Sequence, residues 1–332
     1  MPALALLNVS LIATVKDEAA SIRGFLDGLL RQSRPPDEIV LVDGGSSDGT
    51  VAAIEGARRG APVPIRLIRA PGVNISEGRN IAIDHAAHEA IAVTDAGTRP
   101  DADWLEKLIA PLERDSNLAV SSGFFLAGGE GWRQRALAIA ITPQREEIEA
   151  AKFLPSSRSV AFRRGWWRRV GGYPEWLRHC EDLVFDLELR RAGAAFAFAP
   201  DAIVVWDARP DLRSFARQYF NYARGDGHAD LWPKRHLLRY AAYGLGGLVL
   251  WRRRTPLALS ALLLGWLGYQ RKFLTRLMRV PVSPKRSRRL LAVAYLPLVV
   301  TTGDAAKMIG YAVGRWERAT DPTISHAAES RK

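Results

Sequence analysis

Few folds accept the passage in which Glu38-Ile39-Val40-Leu41-Val42 gives way at once to Asp43-Gly44-Gly45-Ser46-Ser47-Asp48-Gly49-Thr50. The apolar run is short and rich in β-branched residues, so it reads as a buried strand. The glycine-rich turn opens a helix expected over residues 50–59, with Ser47 or Asp48 placed to cap its first turn. A carboxylate at the carboxyl end of a strand, followed by such a turn into a helix, stands where open α/β sheets bind nucleotides. No Gly-Lys-Ser/Thr is present for a triphosphate loop, and no G-x-G-x-x-G for a dinucleotide. With the acid leading, the passage suits hydrogen bonds to a base or ribose better than the cradling of a triphosphate.

The surroundings repeat the same alternation. Strands are expected at 6–14, 38–42, 65–68 and 90–94, with helices at 19–31, 50–59 and 78–87 between them. Later strands are expected at 119–125, 159–162 and 196–205, and a helix over 181–193 that Gly193 stops. Alternation of this kind argues a mostly parallel α/β sheet flanked by helices.

From about residue 237 the character changes. Between Leu231 and Gly303 there is no Asp or Glu but 14 Lys and Arg, more than the whole-chain surplus of +12, so the rest of the chain is slightly acidic. Apolar stretches at 240–251, 256–269 and 290–303 alternate with Arg252-Arg253-Arg254 and Lys285-Arg286-Ser287-Arg288-Arg289. Each is short of the ~20 residues that cross a bilayer as a helix. Helices lying in the interface with arginines among the headgroups fit better, with short tilted spans and a soluble helical cap as the alternatives. Three domains follow as an expectation: a catalytic α/β domain over 1–232, a membrane-associated helical region over 233–316, and a disordered tail over 317–332. Cys180 is the only cysteine, which excludes an internal disulfide and suits a reducing compartment. The apolar start, residues 1–15, lacks a basic leader, so residues 6–14 read as the first strand, with a signal peptide as the weaker alternative.

Thr14-Val15-Lys16-Asp17-Glu18, Val42 to Thr50, Gly78-Arg79-Asn80, Thr94-Asp95-Ala96-Gly97, Gly171-Gly172-Tyr173-Pro174-Glu175, Glu181-Asp182 and the stretch from Gln218 to Gly227 occur in that order. Together they resemble the family 2 nucleotide-sugar glycosyltransferases over residues 6 to about 232. The resemblance implies the GT-A fold and transfer of a sugar from a nucleoside diphosphate sugar, UDP favoured, to a lipid-linked or other glycan acceptor. It places Asp43 on the nucleobase, with Thr14, Glu18, Gly45 and Ser47 around the nucleoside. Asp43 alternatively closes an Asx-turn with the glycines that follow it. Arg79, read as opening a helix, and Arg158 are candidates for the diphosphate. Asp95 matches the first acid of the family's metal-binding D-x-D, while Gly97 replaces the second. A divalent cation, Mg or Mn, then rests on Asp95 and the donor phosphates, with His228 or Asp226 from an expected loop as a further ligand. The alternative is cationic stabilisation by Arg79, Arg158 or Arg224. Gln218 and Arg224 match the loop that closes over the donor diphosphate. Asp182 is the candidate general base for an inverting transfer, beside Glu181; both acids also complement a helix N-terminus. Trp167, Tyr173 and Trp176 are candidates for the acceptor cleft.

The basic, apolar C-terminal third fits an anionic membrane surface, at the cytoplasmic face of a bacterial inner membrane, where each nearby Lys or Arg contributes ~1 kcal/mol. Nucleic acid is not expected, because the runs between the charges are Leu- and Ala-rich where a nucleic-acid surface is polar. A non-catalytic membrane scaffold that keeps only the nucleotide site is the competing class.

Overall fold

The computed structural model describes residues 6–252, 255–279 and 285–329. In chain order the elements are β1 (Val9–Val15), α1 (Ile22–Leu30), β2 (Glu38–Asp43), α2 (Thr50–Arg58), β3 (Ile65–Arg69), α3 (Ile75–Asp84), β4 (Ala90–Val93) and β5 (Thr98–Pro100). Then come α4 (Trp104–Arg114), β6 (Leu118–Gly128), α5 (Gly131–Ile141), β7 (Val160–Arg163), α6 (Arg164–Arg169), α7 (Glu181–Arg191) and β8 (Ala195–Asp207). The remainder is helical: α8 (Leu212–Ala229), α9 (Pro233–Arg252), α10 (Pro256–Arg279), α11 (Arg286–Thr320) and α12 (Pro322–Glu329).

The chain forms two compact units, one of residues up to Leu126 with Arg145–Asp207, the other of Ala127–Gln144 with the chain from Ala208 onward. This differs from the limit expected at 232. The apolar residues of α5 account for part of the difference, since Ala136 and Ile139 share a cluster with Leu277, Leu296 and Val300 of the C-terminal helices.

The first unit is built on one eight-stranded sheet in the order β3-β2-β1-β4-β7-β6-β8-β5. β1 to β4 are parallel, whereas β7 runs antiparallel to both β4 and β6, and β5 to β8. The sheet is therefore mixed, more so than alternation alone implied. The two-residue side-chain period sorts the core. Val9, Leu11, Ala13 and Val15 of β1 join Ile39 and Leu41 of β2 under α1 and α4. Ile12 joins Val40 and Val42 on the other face, under Ala82 and Ile83 of α3 and Phe185 and Leu189 of α7. Strands covered on both faces need no polar alternation, which is why residues 39–42 of β2 and all of β4 show as unbroken apolar runs in sequence.

In the second unit α8 packs on α11 at backbone distance. A Cβ on Gly310 or Gly314 of α11 would run into the carbonyl oxygens of Phe220 and Arg224, and one on Gly227 of α8 would lie 2.7 Å from the Tyr311 carbonyl oxygen. The chain is helical through Glu329, where a disordered tail was expected, and residues 330–332 lie outside the described residues. The three apolar stretches are parts of longer helices of 20, 24 and 35 residues. Among the described residues only α11 is long and apolar enough to cross a membrane, by length and composition. Arg253 and Arg254 of the expected basic run lie outside the described residues.

Candidate functional site

Three parallel strands deliver the site. β1 pairs with β2 on one side and β4 on the other, and successive strands change direction of addition between β1 and β4. That reversal is the place where an α/β sheet leaves a crevice beyond its carboxyl ends. Asp43 ends β2 opposite Val15, and Asp95 follows β4 by two residues.

Asp43 is fully buried and its carboxylate accepts the N–H of Gly45 at 3.3 Å, the N–H of Ser46 at 3.1 Å and the Ser46 hydroxyl. The Asx-turn reading thus holds. Gly45 has φ +94°, and a Cβ there would meet Pro71 at 3.2 Å, so the turn depends on glycine. The neighbouring loop is tied to it: the Asp17 N–H donates to Ser46 Oγ at 2.9 Å, and Asp17 Oδ1 accepts the Ser47 N–H at 2.8 Å. Glu18 donates its N–H to Thr50 Oγ1 at 2.7 Å, and its carbonyl starts α1 by accepting from Ser21 and Ile22. Thr14 lies under α3, where a Cβ on Gly78 would come within 2.7 Å of its Cγ2. Thr14, Glu18, Asp43, Gly45 and Ser47 are therefore gathered at one rim.

Arg79 does not open a helix. Asn74 caps α3 by accepting from Ser76 and Glu77, while Glu77 reaches back to the Asn74 N–H at 2.6 Å, so Arg79 stands in the second turn. It is 2% exposed and donates to Glu181 Oε1 at 2.8 Å and Asp95 Oδ1 at 2.9 Å, with its guanidinium 5.3 Å from the Tyr173 ring centre. Burial pulls the Arg79 pKa down, but the two carboxylates more than reverse it and leave it raised. Asp95 is held below the usual carboxylate range: burial raises it, and Arg79 and Arg158 outweigh that. Arg158 stands 3.7 Å from the other Asp95 oxygen and stacks over the Trp206 ring at 4.7 Å.

Glu181 and Asp182 form the first turn of α7, entered through a left-handed backbone at Cys180, φ +63°. Glu181 is pushed up to about 7 by burial and by Asp182, with Arg79 opposing. Asp182 is half-buried. One oxygen lies 3.3 Å from Ser156 Oγ and 3.4 Å from the Ser157 N–H, and the other accepts the Leu183 N–H at 2.8 Å. Asp186, one turn on, is 3% exposed with one carboxylate oxygen lacking a partner, and burial with Asp182 raises its pKa well above normal. Its spacing of four from Asp182 is the signal that sequence reading left unused. Asn80 is not a cap. Its side chain pins the Gly171–Glu175 loop, donating to the Tyr173 carbonyl at 2.9 Å and accepting from the Trp167 indole N–H at 2.9 Å.

Of the acceptor candidates, Tyr173 is excluded as a sugar-facing ring. It is fully buried, stacks on Phe185 at 4.2 Å, and meets Ser157 Oγ through its hydroxyl at 3.0 Å. Trp167 and Trp176 are half-buried, and the Trp176 indole N–H finds no acceptor.

Gln218, Arg224 and His228 belong to the second unit, on the helix α8 where a loop was expected. Asp211 caps α8 by accepting the Ser214 N–H at 2.8 Å. Arg224 forms two bonds of 2.6 Å with Glu317, and His228 Nε2 meets the same carboxylate at 2.8 Å. Asp226 pairs with His236 at 3.1 Å. His228 Nε2 and Asp226 Oδ2 are thus engaged inside the helical unit. Among the described residues no group of three His, Cys, Asp or Glu is placed to hold a metal. Asp95 remains, its side chain 27% exposed.

The family model described as Glycosyl transferase family 2 matches residues 10–171, a span that includes Asp43, Arg79, Asp95 and Arg158. The chain is 24% identical over 262 residues to glycosyltransferase AglE of Haloferax volcanii, covering 76% of this chain and 84% of that protein. It is 27% identical over 264 residues to succinoglycan biosynthesis protein ExoA of Rhizobium meliloti, covering 75% and 74%. Among solved structures, mannosyltransferase PcManGT from Pyrobaculum calidifontis, in complex with GDP-Man and Mn2+, superimposes with TM-score 0.57 at 19% identity over 96% of this chain and 88% of that one. GalNAc-T7 with UDP, GalNAc and Mn2+ gives 0.51 at 16% identity over 67% and 48%. At these identities the structures speak for the fold.

Proposed function

We propose that this chain, which has the GT-A fold, acts as a family 2 glycosyltransferase and moves a sugar, with inversion, from a nucleoside diphosphate sugar to a hydroxyl of a membrane-borne or cell-envelope glycan. The observation that carries this reading is the chain of charge from Asp95 through Arg79 to Glu181, with Asp182 next to it. The donor nucleoside lies at the rim made by Thr14, Glu18, Asp43, Gly45 and Ser47, UDP being the favoured nucleotide. Arg79 fixes Asp95 and Glu181; in this reading Asp95 faces the diphosphate while Asp182, next to Glu181, faces the acceptor. Asp182 takes the acceptor hydroxyl's proton as that oxygen attacks the anomeric carbon, and the bond to the diphosphate breaks on the opposite side. Arg158, beside Asp95, stabilises the charge that develops on the leaving group. Trp167 and Trp176, both half-buried, remain the aromatic candidates beside the acceptor.

Asp95 fits a divalent cation as a single carboxylate, with the donor's phosphates as the other oxygen ligands, a mode magnesium commonly adopts. An ion held there would supply positive charge toward the leaving diphosphate. The exposed apolar residues of the C-terminal helices, among them Leu245, Trp251, Leu264 and Trp266, support docking on the cytoplasmic face of the bacterial inner membrane.

Calorimetry on the detergent-purified chain tests the reading, with UDP, GDP, dTDP and CDP each titrated in manganese or in chelator. One nucleotide is expected to bind tightly, and less tightly with chelator. Equal binding in chelator assigns the leaving-group charge to Arg158 without metal, and no binding of any nucleotide overturns the proposal. Asp182→Asn is expected to lower turnover ~10²–10⁴-fold while nucleotide affinity stays within about twofold.

A further inference from the structure

The helical unit encloses polar side chains that its own fold does not use. Gln270 on α10 is 1% exposed, and neither its Nε2 nor its Oε1 has a hydrogen-bond partner. Gln218 on α8 is 6% exposed; its Nε2 donates to the Tyr222 hydroxyl at 2.9 Å, but its Oε1 meets nothing. Both lie on helices that interlock with α11, through Leu277 against Val300 and Phe215 against Val299. A buried amide without a partner is costly, and native interiors rarely keep one without a reason.

Cations stand on the same and neighbouring helices. Lys307 of α11 lies 4.1 Å from the centre of the Tyr219 ring of α8. Asp304, one turn before it, is taken up by Arg239 at 3.1 Å and by the hydroxyls of Tyr243 and Tyr269 at 3.1 and 2.8 Å. Among the described residues Lys307 forms no ion pair. Arg276 is 6% exposed and, with Arg235, acts electrostatically on the Tyr219 hydroxyl.

The inventory of unused atoms defines a complementary ligand. Lys307 and the Gln270 amide N–H call for anionic oxygen, whereas the oxygens of Gln218 and Gln270 call for O–H donors. A phosphate ester bearing a hydroxylated group satisfies both. The outer faces of α9 and α10 expose Leu248, Leu263 and Leu267, a surface for an apolar tail. We propose that the interior between α8, α10 and α11 binds the phosphate and hydroxyls of a lipid with a polyol or sugar phosphate headgroup. The proposal uses residues of the helical unit alone and stands whichever nucleotide the other unit takes.

The test is calorimetric titration of the full chain, in non-ionic detergent, with dihexanoyl phosphatidylglycerol, dihexanoyl phosphatidylcholine and glycerol 3-phosphate. Phosphatidylglycerol is expected to bind at least ~10-fold more tightly than the other two, and Gln270→Leu or Lys307→Met to weaken it by ~10-fold each. Gln270→Leu is also expected to raise Tm in the absence of lipid, since leucine fills the same volume without a stranded amide. Nucleotide binding, measured alongside, is expected to be unchanged in Gln270→Leu, so failure here and failure of the transferase reading are distinguishable. A lower Tm for lipid-free Gln270→Leu, or unaltered phosphatidylglycerol binding in both variants, overturns the site. Equal binding of phosphatidylcholine overturns the headgroup, and equal binding of glycerol 3-phosphate overturns the lipid.

Discussion

Replacing Arg79 by methionine removes one charge from between two carboxylates and keeps most of the buried stem. The guanidinium is 2% exposed and bonds Glu181 at 2.8 Å and Asp95 at 2.9 Å. Removing one partner from a buried pair costs ~3–5 kcal/mol, because the charge left behind stays desolvated. Two effects pull toward the lower end. Glu181, already pushed up to about 7, sheds its share by taking a proton. Asp95 is 27% exposed at its side chain, and water reaches it. The expected loss is therefore ~3 kcal/mol, or ~6–12 °C in Tm for a body of this size. The assay is thermal unfolding of the full chain in detergent at pH 7.5, with Glu181→Gln and the double variant run beside it. If Arg79 and Glu181 act through one another, the double variant is more stable than the sum of the singles by at least ~1 kcal/mol. A fall in Tm below ~2 °C, or strict additivity in the cycle, would refute the view of Arg79 as the counter-ion that holds this site together.

The pH dependence has a defined sign. Glu181 has its folded pKa raised from 4.5 to about 7, so its contribution is fully present below pH 4.5 and is lost as pH rises through 7. Tm profiles from pH 4.5 to 8 are expected to show Glu181→Gln gaining on the natural chain across that window, while the lowered pKa of Asp95 acts in the opposite sense and only at more acid pH. Asp43→Ala strands the N–H groups of Gly45 and Ser46, so a loss of ~1–3 kcal/mol by urea unfolding and abolition of nucleotide binding are expected together. Retention of binding would leave Asp43 as a turn residue only. Gly314→Leu drives a side chain into the Arg224 carbonyl and forces α8 from α11; melting of the helical unit at least ~5 °C lower is expected by circular dichroism, with nucleotide affinity as the control.

What the sequence disclosed follows the range of the forces involved. β2 and the turn after it were legible because their cause is local: an apolar run buried on both faces, then an acid that bonds the N–H groups two and three residues ahead. The start of α3 was misplaced by three residues although its signal, Asn74 followed by Glu77, is equally local. α4 was passed over, though Trp104, Leu105, Leu108 and Leu112 recur at helical spacing with Pro111 among them. The loop expected around Arg224 rested on the family resemblance; the chain is helical there, and Gly227 serves close approach to Tyr311, a partner 84 positions away in sequence (311 − 227).

The site divides the same way. Glu181 and Asp182 are visible as an acid pair at a helix start, and Asp95 as an acid after a strand. Their joining by Arg79 is not visible, because it spans 102 residues to Glu181 and depends on β4 lying against β1 instead of extending the sheet beyond β3. Spacing along the chain tells which residue stands at a strand end; strand order decides which of those ends are neighbours. The same argument separates Asp95 from His228. Both are plausible ligands by residue type, but His228 already has Glu317 at 2.8 Å, while the Asp95 side chain is 27% exposed with Arg158 beside it. On the proposed reading a D-x-D motif reduced to one acid can still serve. The positive charge that a second metal ligand would help to bring is already supplied in part by two arginines, one buried to hold Asp95 in place and one beside it where a diphosphate would leave.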